Sequence, residues 1–179
     1  KSSLTDLSDG SGFDLLKIDA PTSVAVTQTG SPVAGEYSLQ VNSLASSQVL
    51  ATPAFGSAAT EVGTGSLTIS VGTPAYATGS SGPYSGFTAA AGKTATVTVD
   101  SSNNSVSGIR DAVNALDIGV TASVVLDGSQ VRLLFTADDS GANTAIAIST
   151  VDSGDSSGAS PNTDSDGLSQ LAYNYDDSL

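Results

Sequence analysis

Between Ser105 and Ile118 the apolar side chains Val106, Ile109, Val113 and Leu116 recur at steps of three, four and three. That spacing sets them on one face of a 3.6-residue helix. It is the only convincing helical period in the chain, and the segments around it have a period of two. Upstream, Thr94-Ala-Thr-Val-Thr-Val-Asp100 alternates and runs into the polar turn Ser101-Ser-Asn-Asn104. Ser105 is placed to cap the helix, its hydroxyl accepting from an amide of the first turn. Gly119 lies just past the last apolar position, where a left-handed residue ends a helix without a Cβ clash. Downstream, Val120, Ala122, Val124 and Leu126 alternate up to Asp127-Gly128-Ser129, and Val131, Leu133 and Phe135 alternate after it. Asp-Gly between two such runs predicts a hairpin. After the turn-rich 138–143, Ala145-Ile-Ala-Ile-Ser149 completes a unit of strand, helix, strand, strand, strand.

A helix this short is marginal alone in water, whereas each of its apolar residues contributes about 1.5–3 kcal/mol when fully buried. It is therefore expected to cover one face of the hairpin and its neighbouring strands. Thr121, Ser123, Gln130, Arg132 and Thr136 fall on the opposite, wetter face. The expected fold is mainly β (α+β): two β-rich domains of antiparallel sheets, the second with one helix packed on its sheet.

Before that unit, Val24 and Val26 alternate, Gly30–Gly35 is a Pro/Gly turn, and Glu36–Asn42 alternates with Tyr37, Leu39 and Val41 facing inward. These two runs predict an antiparallel pair in a first, smaller β domain. Phe13–Ile18 is ambiguous between strand and helix. Leu67, Ile69 and Val71 predict another strand. Residues Gly72–Gly92 read as a long Gly/Ser/Thr loop carrying Tyr76, Tyr84 and Phe87, and a loop of that length is usually functional or mobile. Residues 152–166 are acidic and poor in apolar side chains, hence expected to be flexible, before Gly167–Tyr173 returns to ordered character.

Eighteen acids against five bases give a net charge of −13, which argues against nucleic acid and against an anionic membrane surface as partners. No apolar run reaches the length of a membrane span, and no basic-then-apolar signal opens the chain. Histidine and cysteine are absent, so Ser-His-Asp triads, Cys-His dyads, disulfides and typical structural zinc sites are excluded. Asn162, Asp164, Asp166 and Gly167 match the start of a calcium loop, but Tyr173 holds the position where a bidentate Glu is required. Asp138-Asp139 and Asp176-Asp177 read as solvated neighbours, not acids facing each other across a cleft. Arg110 and Asp111 read as a surface pair. Asn103-Asn104-Ser105 fits a glycosylation acceptor but equally a turn and an N-cap. No catalytic residue, cofactor or metal is expected.

Two sets of blocks carry a family resemblance. Glu36-Tyr-Ser-Leu-Gln-Val-Asn-Ser-Leu-Ala45 and Gly63-Thr-Gly-Ser-Leu-Thr-Ile-Ser-Val-Gly72 resemble the middle of bacterial flagellar filament cap proteins (hook-associated protein 2). Ser105–Asn114, Gly119–Val125 and Leu133–Gly141 are similar to the flagellin hook IN motif, here spanning 94–150. The resemblance implies two β-rich head domains of a longer protein whose terminal coiled-coil helices lie outside this fragment. It implies a discontinuous first domain, 1–52 plus 167–179, with 53–166 inserted into it. It further implies an extracellular, non-enzymatic homo-oligomer. Such a ring caps the flagellar filament, helps flagellin subunits fold into place beside other hook-associated proteins, and leaves the cell without a cleaved signal. Host mucin or glycans are a further implied partner. The alternatives are the outer domain of a flagellin or hook–filament junction protein, and an adhesive glycan-binding head. Tyr76, Tyr84 and Phe87 are the candidate interface or ligand-contact residues, since aromatics are over-represented at interfaces. They read equally as a cluster packed under their own loop.

Overall fold

β-Branched and small residues dominate the alternating runs, and they suit the pleated, half-buried surface of a sheet. The computed structural model describes residues 25–27, 35–36, 38–42, 44–75, 85–153 and 166–173. The chain divides into two compact units, Lys1–Ser43 and Leu44–Leu179. In the first, the described residues of the expected strand, 36 and 38–42, carry no strand pairing. Leu39 and Val41 are 76% and 62% exposed, so they do not face inward as their alternation predicts. Alternation marks which side chains share a face. It does not supply a surface to bury that face. Tyr37, Val24 and Phe13–Ile18 lie outside the described residues.

Among the described residues the second unit holds six strands: β1 (Val49–Ala51), β2 (Gly65–Ala75), β3 (Gly86–Val99), β4 (Val120–Asp127), β5 (Gln130–Ala137) and β6 (Ala145–Asp152). They form two antiparallel three-stranded sheets, in the orders β1-β5-β4 and β3-β2-β6. The helix α1 (Val106–Asn114) lies between β3 and β4 in sequence, and a 3-10 turn (Gly167–Leu171) follows β6. The strand–helix–strand–strand–strand order expected for 94–150 is therefore present. Its strands are shared between the two sheets, with β6 beside β2 and not beside β5.

One apolar core joins both sheets, the helix and the 3-10 turn. Val120 and Ala122 of β4 and Val131, Leu133, Phe135 and Ala137 of β5 supply one side. Leu67, Ile69, Val97, Val99, Ile146 and Ile148 supply the other, and Val106, Ile109 and Val113 of α1 are fully buried in the same cluster. On the outer face of the second sheet, hydroxyls replace apolar groups: Thr68 bonds Thr96 at 2.8 Å and Ser70 bonds Thr94 at 2.9 Å. Such cross-strand pairs hold register without needing burial.

The helix is capped as its sequence predicts. Ser105 Oγ accepts from the Gly108 amide at 3.1 Å. Two more first-turn amides, those of Val106 and Ser107, donate to the carbonyls of Thr60 and Ala58 at 3.0 and 2.9 Å, so three of the four orphan donors of a helix start are satisfied. The helix is shorter than its apolar spacing suggests and closes at Ala115, four residues before Gly119. The reversal into β4 uses Asp117 (φ +48) and Gly119 (φ +91). Leu116 and Ile118 still join the core from that turn.

Candidate functional site

The expected loop of 72–92 is largely a two-stranded arm. β6 accompanies β2 only from Gly65 to Gly72, the latter opposite Ala145. Beyond that point, among the described residues, β2 pairs with β3 alone, from Gly72↔Ala89 to Ala75↔Gly86. At the base of the arm Ala90-Ala-Gly-Lys93 stands opposite the single residue Val71, and Gly92 takes φ +73 inside this bulge. A bulge of this kind bends a strand and sharpens its twist. Gly72 is needed at the same base, because a Cβ there would meet the Thr88 carbonyl oxygen at 2.1 Å and the Ala89 Cα at 2.8 Å. Thr73 Oγ1 ties the arm to the 138–144 connection by donating to Asn143 Oδ1 at 3.1 Å.

Of the three candidate aromatics, Phe87 is half-buried on β3, directly opposite Pro74 of β2. Tyr76 and Tyr84 lie outside the described residues, so the structure neither gathers the three nor separates them. Exposed Thr88, Ala89, Ala90, Ala91 and Gly92 line the β3 side of the arm.

The charged groups considered from sequence are dispersed. Arg110 pairs with its neighbour Asp111 at 2.7 Å. Asp138 accepts from Thr121 Oγ1 at 2.6 Å, a bond that ties the start of β4 to the end of β5. Asn103 and Asp100 shape the turn before α1: Asn103 Oδ1 accepts from the Asp100 amide at 2.8 Å, and Asp100 accepts from the Ser102 amide and hydroxyl at 2.8 and 2.6 Å. The hydroxyl bond first, then the amide bond, holds the Asp100 carboxyl below its ordinary range. Among the described residues no three acids stand close enough to hold a metal ion, and no described helix is long and apolar enough to cross a membrane. Asn162, Asp164, Asp176 and Asp177 lie outside the described residues.

Four polar residues make tertiary bonds that the sequence does not reveal. The Gln48 carbonyl accepts from the Ala137 amide at 2.9 Å while its Oε1 accepts from the Ile146 amide at 2.6 Å, so one residue joins both sheets. Asn114 pairs its carboxamide with the backbone of Ala122 in both directions, at 3.0 and 2.7 Å. The Asp152 carboxylate accepts from the Leu168 amide at 3.0 Å and from Ser169 Oγ at 3.3 Å. Arg132 donates to Asp127 and, at 2.9 Å, to the Thr52 carbonyl. Only polar residue type signals any of them in the sequence, because each partner is distant in sequence or lies across a turn.

No family model matches the chain. It is 34% identical over 166 residues to the B-type flagellar hook-associated protein 2 of Pseudomonas aeruginosa, which covers 91% of this chain and 28% of that relative. The crystal structure of FliD (HAP2) from Pseudomonas aeruginosa PAO1 superposes with a TM-score of 0.52 at 33% identity, over 75% of this chain and 49% of that one. The D2–D3 domains of the flagellar cap protein FliD from Escherichia coli give a TM-score of 0.55 at 28% identity, over 79% of this chain and 70% of that one. The chain thus spans about a quarter of the length of the curated relatives it matches.

Proposed function

Because this chain belongs to the flagellar hook-associated protein 2 family and corresponds to its D2–D3 domains, we propose that it is the exposed head of a filament cap. In this reading the whole protein sits outside the cell at the tip of the bacterial flagellum. It associates with copies of itself in a ring and helps arriving flagellin subunits fold into the filament, with other hook-associated proteins as its neighbours. The observation that carries it is the sequence match over 91% of the chain. The fold supports it, since rigid antiparallel sheets around one core suit a scaffold. The role requires no chemistry of its own. The head reading also keeps the proposed insertion of one β-rich domain in another. Val49–Ala51 and Gly167–Leu171, assigned from sequence to the outer domain, pair with β5 and pack on β6.

The test is a chimera. The corresponding segment of a full-length cap protein is replaced by these 179 residues and expressed in a strain lacking its own cap protein. Filaments and swimming should return. Flagellin shed into the medium without filament growth, from a chimera that is folded and exported, would refute the reading. Host mucin or glycan contact is a separate reading that would use the arm carrying Phe87. A glycan array with no hits would remove it.

A further inference from the structure

We propose that the arm formed by 72–75 and 86–89 swings as one body about the bulge at its base, and that the bond from Thr73 to Asn143 is the latch holding it in the position seen here. Two interruptions fall at one level of the sheet. β6 stops accompanying β2 at Gly72, and β3 loses its regular pairing between Thr94 and Ala89, where four residues stand opposite Val71. Below this level β2 is bonded on both sides, and its Leu67, Ile69 and Val71 are buried in the core. Above it, the ladder among the described residues runs between β2 and β3 alone. No described arm residue belongs to the common apolar core.

The base is where the ribbon can bend. Ala90, Ala91 and Gly92 are exposed. Gly92 takes φ +73, a conformation open to glycine, and a Cβ placed on it would meet nothing within 4 Å. No described neighbour therefore packs there to fix the angle of the bulge. The arm's own two strands stay together. At Gly72 β2 approaches β3 so closely that a Cβ would lie 2.1 Å from the Thr88 carbonyl oxygen, and the register then continues unbroken to Ala75↔Gly86. The compliant point is the base, and the stiff piece is the ribbon above it.

Across the break Thr73 Oγ1 donates to Asn143 Oδ1 at 3.1 Å, an exposed bond. Asn143 precedes the start of β6 at Ala145, so its carboxamide meets β2 just where the backbone ladder has ended. Thr144 steadies it from behind, its amide and hydroxyl both donating to the Gly141 carbonyl at 3.4 and 2.8 Å. One neutral, exposed bond of this kind biases a two-state element only about fivefold. The sheet below is held by ladders on both sides of β2 and by buried side chains. The latch can therefore open while the sheet stays intact, a local opening of the kind that precedes global unfolding. The inference concerns motion within the second unit and stands whether or not the cap reading does.

The chain has no cysteine, so introduced cysteine pairs can carry spin labels without background. Thr88→Cys with Asp111→Cys spans the arm and α1. Val151→Cys with Asp111→Cys spans β6 and α1 and is the fixed reference; all three positions are exposed. Double electron–electron resonance should give one narrow distance for the reference pair and a second, displaced population for the arm pair. Asn143→Ala and Thr73→Val should each raise the ratio of displaced to latched arm about fivefold. Together they should do no more than either alone, because both remove the same bond. An arm pair as narrow as the reference and unmoved by both variants would overturn the proposal. So would a displaced population indifferent to Asn143→Ala, or a reference pair that broadens along with the arm.

Discussion

At single residues, the sharpest consequences of the fold fall on glycines that its backbone crowds. Gly108 sits inside α1, where replacing glycine by alanine usually gains about 1 kcal/mol of helix stability. Here a Cβ would lie 2.6 Å from the Asn103 carbonyl oxygen and 2.8 Å from its carbon, both main-chain atoms. The sign should reverse, and Gly108→Ala should destabilise by about 1–3 kcal/mol, the usual range for overpacking, in urea titrations. Asp100 offers a prediction about pH. Its carboxyl is held below the ordinary range by Ser102, so its folded value lies under its unfolded one. Its contribution is therefore present above the ordinary carboxylate value and lost as pH falls through the lowered one. An NMR titration of Ser102→Ala should show the Asp100 midpoint moving up; an unchanged midpoint would remove the Ser102 hydroxyl as the larger cause.

Among the elements, α1 and the strand it packs on have different lengths. Nine helical residues rise ~13 Å, whereas the eight of β4 extend ~27 Å. The helix therefore covers Val120 and Ala122 but leaves the hairpin tip bare. This explains why Leu126, which alternation places inward, is exposed. The hairpin turn itself forms as its Asp-Gly predicts, with Gly128 at φ +66 in the first loop position. At the helix start Ser105→Ala should cost about 1 kcal/mol, the usual value of a lost cap. The loss should appear in thermal melts and be absent in Ser105→Asp, which can still accept from Gly108.

The second unit as a whole is closed by residues that enter and leave it. The outer edge of β6 is occupied by Gln48 at Ile146, by Tyr173 at Ile148 through two bonds of 2.8 Å, and by Asp152 capping the 3-10 turn. Leu168 and Leu171 from that turn are buried in the common core. Leu168→Ala should therefore lower global stability by about 2–5 kcal/mol, as for other buried leucines. Asp152→Ala should act more locally, raising hydrogen exchange at the Leu168 amide well before it changes exchange in β5. Equal effects in both places would mean the turn unfolds only with the whole unit. Gly167 belongs to the same closure, since at φ +55 its missing Cβ leaves room for the Asp152 carboxylate at 2.6 Å.

What the chain alone determined is local in origin: the face of α1 that is buried, its Ser105 cap, the 127–130 turn, the alternation of β5, and the blocks that mark the family. Each follows from neighbours a few residues apart, where period and turn chemistry act directly. Tertiary structure decided which sheet each strand joins, how far α1 covers β4, that 72–75 and 86–92 form an arm instead of a loop, and where Gln48, Asn114 and Asp152 reach. Those outcomes depend on which surfaces meet across 8 to 98 residues of chain, and an alternating pattern is the same whether its face is buried or, as at Leu39 and Leu126 among the described residues, exposed.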